Sequence, residues 1–171
     1  MKHLHQFAQT TPPKPCLQEK LILLFVTVGG VGYAPVFPGT VGTVVAIPLS
    51  LGLNRLAADV SVLAASLVLV VAIFSAIGLA ARAADLLRQK DPGIIVIDEV
   101  VGYLLGNFAA PMTLSALLAS FLLFRFFDIA KVFPASQLER LPSGSGIVLD
   151  DIMAGIYTFA VMRLLLTWGV V

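Results

Sequence analysis

Long stretches without a charged residue alternate with short polar segments along this chain. The uncharged runs cover residues 21–54, 60–81, 100–124 and 152–162. A helix needs about 20 apolar residues to cross about 30 Å of hydrocarbon, so the run from Val60 to Ala81 predicts a transmembrane helix. Several such runs in 171 residues exceed what the core of a soluble protein needs. The pattern therefore predicts an integral membrane protein.

Proline and glycine divide the longest runs into shorter helices. The glycines and prolines between Gly29 and Gly39 predict a short helix over Leu21–Tyr33 that lies in the membrane interface or re-enters it. Pro111 breaks the third run in two. Besides Val60–Ala81, the predicted spans cover about Thr40–Leu53, Ile95–Ala109, Met112–Asp128 and Asp150–Trp168. The predicted fold is all-α, a polytopic transmembrane bundle of four to six spans with short or broken helices and an interfacial or re-entrant N-terminal helix.

The two ends of the chain differ in character. Residues 1–18 are polar and rich in proline, and they predict a disordered or loosely attached tail without the apolar core of a signal peptide. Residues 19–171 are interpreted as one membrane-embedded catalytic domain. Cys16 is the only cysteine, which excludes a disulfide framework and a cysteine-based zinc cluster. His3 and His5 lie in the tail.

Composition supports the membrane assignment, and the distribution of charge orients the molecule. The chain is 58% hydrophobic and 12% charged, whereas soluble domains carry roughly 25% charged residues. A net charge of +1 gives no sign of a nucleic-acid partner. With the N-terminus in the cytoplasm, nine of the eleven Lys and Arg residues fall on the cytoplasmic side, in agreement with the positive-inside rule. Arg55 and Arg163 fall toward the other side.

Three acidic motifs lie at the ends of the uncharged runs. Asp98-Glu99, Asp128 and Asp150-Asp151 supply five of the ten acidic residues. The orientation brings all of them to the cytoplasmic face, where a carboxylate is costly unless a cation, a partner or water compensates it. Mg²⁺ typically takes one or two carboxylates together with phosphate and water. We therefore predict Mg²⁺ ligands among Asp98, Glu99, Asp128, Asp150 and Asp151, which suit one or two ions.

Local stabilisation is the alternative explanation for each motif. Asp98-Glu99 and Asp150-Asp151 are both interpreted as opening a helix, where the macrodipole favours an acid by about 0.3–1 kcal/mol. Arg125, Asp128 and Lys131 recur every three residues and are also compatible with an ion-pair ladder on one helix face. Capping explains one acid at each helix start more easily than it explains adjacent pairs. Gly102 and Gly155 follow the two pairs, and they predict a close approach of the neighbouring backbones.

Cations and a helix start on the same face predict a phosphate site. Arg125 offers a planar fork and Lys131 a point charge for phosphate oxygens. Pro38-Gly39-Thr40 resembles a helix start in which Thr40 caps the helix and the first N–H groups face the cytoplasm. Helix N-termini of this kind bind phosphate. Gly39, Thr40, Arg125 and Lys131 are therefore the predicted phosphate-binding residues.

Four motifs in order resemble the phosphatidylglycerophosphatase A family over about Gly29–Ala160. They are Phe37–Gly42, Ile97–Gly102, Phe124–Lys131 and Gly144–Gly155. In relatives a proline follows the lysine of the third motif, whereas here Val132 and Phe133 precede Pro134. The resemblance implies a Mg²⁺-dependent lipid phosphatase of the bacterial inner membrane. Such an enzyme converts phosphatidylglycerophosphate into phosphatidylglycerol and inorganic phosphate.

The residue inventory favours direct attack of a metal-activated water on the phosphate. A phosphocysteine route lacks its cysteine loop, a phosphohistidine route lacks histidines at the membrane face, and Asp-x-Asp is absent. Asp98, Glu99 and Lys131 are the predicted catalytic residues, with Glu99 either a ligand or the base that takes the proton of water. The alternatives are a small ion or metal transporter with a path of acidic helix ends, and a structural membrane subunit. The substrate partner is a phospholipid, and an oligomer is compatible with the sequence.

Overall fold

The computed structural model describes residues 16–138 and 144–171. These residues form helices and their connections, which confirms the predicted all-α class. A single 3-10 turn lies at Val31–Tyr33. The helices are α1 (Leu17–Val26), α2 (Pro38–Asp59), α3 (Val62–Leu87), α4 (Ile97–Gly106), α5 (Leu114–Ala130), α6 (Ala135–Leu138) and α7 (Gly144–Thr167). Residues 1–15 of the predicted tail, with both histidines, lie outside the described residues, whereas Leu17 and Gln18 are not a loose tail but belong to α1.

Within the described ranges, α2 and α3 are the two helices long and apolar enough to cross a membrane. Their 22 and 26 residues correspond to about 33 and 39 Å at 1.5 Å per residue. α2 continues through Pro48 and ends six residues beyond the predicted boundary at Leu53. α3 begins after Ser61, whose hydroxyl accepts a hydrogen bond from the Leu63 amide at 3.1 Å. It runs past the predicted end at Ala81 because Arg82 and Asp85 lie on its exposed face.

Three shorter or shifted helices correct the predicted boundaries. α1 begins before Leu21 because Glu19 closes a capping box on the Cys16 amide, 2.7 Å away. α4 occupies ten residues of the predicted Ile95–Ala109 helix. α7 begins at Gly144, so the prediction that Asp150-Asp151 opens a helix is wrong: both residues lie in the second turn. The upstream turn carries Ile147 and Val148, which are buried against α1, α3 and α4.

α4 and α7 pack side by side and point in the same direction. Gly102 lies against the Asp151 carbonyl, Gly155 against the Gly102 carbonyl, and Gly106 against Thr158. Residues later in α4 contact residues later in α7, so the two helices are parallel and their acidic pairs lie at the same end. Small residues of this kind let two backbones approach closely.

A side chain of α2 holds the segment that follows α4. The Asn54 amide donates hydrogen bonds to the Asn107 carbonyl at 2.9 Å and the Ala110 carbonyl at 3.2 Å. Its carbonyl oxygen accepts one from the Ala109 amide at 2.9 Å. Asn54 is 4% exposed, so these bonds satisfy backbone groups that water cannot reach. α4 therefore ends inside the bundle with its last turn tied to α2.

Replacement of Gly102 by alanine should destabilise the fold. A Cβ at Gly102 would lie 2.7 Å from the Asp151 carbonyl oxygen and 2.8 Å from the Phe124 ring, so α4 and α7 must move apart. Such overpacking costs about 1–3 kcal/mol. We expect a lower thermal unfolding midpoint in detergent for Gly102→Ala. Gly78→Ala is the matched control, because a Cβ there meets open space. Equal midpoints for the two variants would contradict the close packing of α4 on α7.

Candidate functional site

The ends of four helices and one connector enclose a cavity of about 280 Å³. α4 and α7 contribute their acidic pairs, α5 contributes its last turn, and α2 contributes its first. The five acidic residues singled out by the sequence all line this cavity, namely Asp98, Glu99, Asp128, Asp150 and Asp151. Gly39 and Lys131 line it as well. Residues as far apart in the sequence as Gly39 and Asp151 thus share one site.

Three of the carboxylates form a cluster that can hold a metal ion. One oxygen from each of Asp98, Glu99 and Asp151 lies within 4.8 Å of the other two. Asp98 is 7% exposed and Asp151 is 4% exposed. The Glu99 Oε2 atom is buried and has no hydrogen-bond partner among the described residues. Hard divalent cations prefer oxygen ligands of this kind, so the donor set fits Mg²⁺. We call these three residues the acidic triad.

Burial and mutual repulsion make the charged form of the acidic triad costly. Asp98 and Glu99 lie in the first turn of α4. This helix is about 15 Å long, which is too short to span a bilayer. Burial raises the pKa of Asp98 well above its usual range, and repulsion by Glu99 raises it further. Burial also raises the pKa of Glu99. A bound divalent ion would offset both effects and hold the carboxylates in their charged form.

The other two carboxylates lie beside cations. Asp128 forms an ion pair with Arg125 one turn earlier on α5, with 2.6 Å between Nη1 and Oδ2. Asp150 forms one with Lys131, with 3.2 Å between Nζ and Oδ2. Arg125, Asp128 and Lys131 therefore do not form the single ion-pair ladder expected on one helix face. Lys131 follows the end of α5 in a left-handed conformation (φ 43°), and its Nζ atom donates to Asp150 on α7. Asp128 and Asp150 stay predicted metal ligands, outside the acidic triad.

Arg125 lies beside the cavity, next to Gly39, and is not among the described residues that line it. Its Nε atom is buried and has no hydrogen-bond partner among the described residues, whereas Nη1 is held in the ion pair with Asp128. Gly39 lies next to this guanidinium: a Cβ there would be 3.5 Å from Nη1 and would overlap the Glu99 carboxylate. Glycine at position 39 thus permits the first turn of α2 to approach both charged groups.

Thr40 has a different place from the one predicted. The residue before α2 is Phe37, in a left-handed conformation (φ 48°), so the expectation that Thr40 caps the helix is wrong. Thr40 is half-buried in the first turn, and Gly39 is the one that lines the cavity. The Gly39 and Thr40 amides precede the first possible partners within the helix.

The α3–α4 connector supplies residues that sequence reasoning missed. Lys90, Asp91 and Gly93 line the cavity. The signal was a charged pair followed by Pro92-Gly93, a few residues before Asp98. Polar residues next to a turn that leads into an acidic helix start are candidates for the rim of a site.

Comparison with known proteins points to one family. The family profile described as phosphatidylglycerophosphatase A matches residues 24–166. A Bacteroides thetaiotaomicron protein, provisionally named phosphatidylinositol-3-phosphatase, is 34% identical over 81% of this chain and 89% of its own. Two proteins named phosphatidylglycerophosphatase A also match. The Escherichia coli protein is 31% identical over 78% of this chain and 76% of its own length. The Haemophilus influenzae protein is 44% identical over 46% of this chain and 49% of its own length. No solved structure matches.

Proposed function

The chain belongs to the phosphatidylglycerophosphatase A family, and from that premise we propose that it is a Mg²⁺-dependent phosphatidylglycerophosphate phosphatase. Its reaction hydrolyses the terminal phosphate monoester and yields phosphatidylglycerol and inorganic phosphate. The observation that carries the proposal is the acidic triad, which lines one cavity together with Lys131 and with Gly39 at the first turn of α2, next to the Arg125 guanidinium. Oxygen ligands for a hard cation and donors for phosphate oxygens are the two requirements of metal-assisted phosphoryl transfer.

The acidic residues of the cavity, together with Lys131, Arg125 and the first turn of α2, are assigned the following roles in this reaction. Asp98 and Asp151 would hold Mg²⁺, with Asp128 and Asp150 as further ligands, directly or through water. When bound, Mg²⁺ supplies the positive charge that activates water and offsets charge on the phosphoryl oxygens. Glu99 completes the metal site or accepts the proton of the attacking water through its unpartnered Oε2 atom. Arg125, Lys131 and the first amides of α2 bind the phosphate oxygens.

The bonds and protons of the reaction balance with these roles. The oxygen of water forms a bond to phosphorus while the bond from phosphorus to the glycerol oxygen breaks. Glu99 accepts one proton of the attacking water, and that proton is then passed to the glycerol oxygen as the bond to phosphorus breaks. The products are a phospholipid with a free hydroxyl group and inorganic phosphate.

The site would lie at the cytoplasmic headgroup plane of a bacterial inner membrane. Residues of α2 and α3 supply two helices long enough to cross the bilayer. The first turn of α2 and the segment after α3 both reach the cavity, so one end of the bundle carries the site. The excess of Lys and Arg at this end orients it to the cytoplasm. A multi-pass arrangement follows if α5 and α7 also cross.

A phosphoinositide is the second candidate substrate, favoured by the name of the Bacteroides relative. A phosphoinositide also carries a phosphate monoester beyond a phosphodiester, so the same residues would serve. The two lipids differ in the group between the phosphates, a glycerol in one and an inositol ring in the other. The rates of phosphate release from the two lipids, compared with each other, therefore distinguish the two candidate substrates.

Phosphate release from defined lipids tests the proposed function. Purified protein in neutral detergent should release phosphate from phosphatidylglycerophosphate in the presence of Mg²⁺, with a higher kcat/KM than for phosphatidylinositol 3-phosphate. The reverse order would assign the protein to phosphoinositides. Metal uptake into liposomes without phosphate release from either lipid would instead support the transporter alternative.

A further inference from the structure

The segment between α3 and α4 is held firmly against the bundle. Pro92 is fully buried, and the Ile95 amide donates to its carbonyl at 2.9 Å. The Val96 amide donates to the Val26 carbonyl at 2.9 Å, which ties the segment to the end of α1. Residues 90, 91 and 93 line the cavity while being exposed to solvent. They therefore form an exposed outer rim, whereas the acidic triad, with Asp98 and Asp151 buried, forms the floor.

Lys90 differs from the other cations of the site in its charge environment. Lys131 and Arg125 each lie beside a carboxylate, Asp150 and Asp128 respectively. Lys90 makes no ion pair within residues 16–138 and 144–171. It is the one lysine or arginine of the rim, at the open side of a cavity whose remaining charged groups are mostly acidic. A cation in this place is suited to an anionic group that stays outside the floor.

The proposed substrate carries such a group. Its terminal monoester has to reach the acidic triad, and a three-carbon glycerol joins that monoester to a phosphodiester. The phosphodiester bears its own negative charge and connects to the acyl chains, so it lies toward the open side of the cavity. We propose that Lys90 binds this phosphodiester and forms a second phosphate subsite at the rim. The inference rests on the proposed function and extends it to recognition of the lipid headgroup.

Lys90→Ala should raise KM for phosphatidylglycerophosphate about tenfold and change kcat by less than about twofold, because the lost charged hydrogen bond is made equally in the ground and transition states. Lys90→Arg should restore most of the affinity. Kinetics in neutral-detergent micelles at constant ionic strength measure both constants. A fall in kcat with unchanged KM would overturn the subsite, since it would place Lys90 at the reacting phosphate.

Product inhibition separates the phosphodiester from the monoester. Phosphatidylglycerol has the diester alone, and inorganic phosphate resembles the released monoester. In Lys90→Ala we expect the inhibition constant of phosphatidylglycerol to rise about tenfold and that of inorganic phosphate to stay unchanged. An increase confined to inorganic phosphate would contradict the proposal.

Arg82→Ala is the matched control for general attraction between a basic protein surface and an anionic lipid. Arg82 is exposed on α3 and does not line the cavity. We expect its KM to match the wild-type value. An equal rise of KM in both variants would show that Lys90 acts through bulk charge and would overturn the subsite. If wild-type protein releases no phosphate from the lipid, the proposed function itself fails, which is a separate outcome.

Discussion

Phosphate release should fall about 1000-fold or more when Asp98 or Asp151 is replaced by asparagine. Both side chains are nearly buried, and each supplies an oxygen to the acidic triad. An amide keeps the shape but removes one negative charge from the cation site. A metal ion contributes several kcal/mol to phosphoryl transfer, and each 1.36 kcal/mol corresponds to a factor of ten in rate. The loss should appear in kcat, since the affected interactions develop with the charge of the transition state.

Thermal unfolding provides a second measurement for the same variants. In metal-free buffer, Asp98→Asn and Asp151→Asn should unfold at a higher temperature than the wild type, because one of three mutually repelling carboxylates is gone. Added Mg²⁺ should stabilise the wild type and have little effect on the variants, since a ligand stabilises only the state that binds it. Asp85→Asn is the matched control, an exposed acid on α3 outside the cavity. Full activity in Asp98→Asn would refute the metal assignment.

Removal of divalent ions should abolish phosphate release by the wild-type protein. Without a cation, the acidic triad repels an anionic phosphate, and Arg125 and Lys131 are already beside carboxylates. Treatment with EDTA, exchange into metal-free detergent buffer and elemental analysis define the starting state. Addition of Mg²⁺ should restore activity and raise the thermal unfolding midpoint.

Calcium provides the contrast for magnesium. Ca²⁺ takes six to eight oxygen ligands at 2.3–2.6 Å, whereas Mg²⁺ requires near-octahedral geometry at 2.0–2.1 Å. We expect Ca²⁺ to stabilise the fold while supporting much less turnover than Mg²⁺. Unchanged activity in protein shown by elemental analysis to be free of metal would exclude the metal-dependent mechanism, even if the asparagine variants were inactive.

Several features of the site could be predicted from the sequence because they depend on short segments. Asp98 and Glu99 do open α4, since both residues stand in its first turn. Gly102 and Gly155 do bring two backbones together, because glycine removes the side chain that would separate them. The i, i+3 spacing of Arg125 and Asp128 does give an ion pair, because residues three apart share a helix face.

Other features depended on contacts that the sequence does not display. α7 starts upstream of Asp150, not at it as predicted, because Ile147 and Val148 pack into the core. α2 began before Thr40 because Phe37 adopts a left-handed conformation and Pro38 occupies the first helical position. Lys90 lines the cavity because the buried Pro92 holds the α3–α4 connector beside it. Each difference arises from packing between elements far apart in the chain.

The sequence by itself determined the helical class, the apolar segments suited to a membrane and five of the acidic residues that line the cavity. These properties are local, because the hydrophobicity of a segment and the chemistry of a side chain do not require a neighbouring helix. Only the tertiary structure decided that Asp98, Glu99 and Asp151 form the acidic triad while Asp128 and Asp150 lie beside cations. The physical reason is that electrostatic interaction depends on distance and burial. The parallel packing of α4 on α7 and the end of α5 determine both quantities.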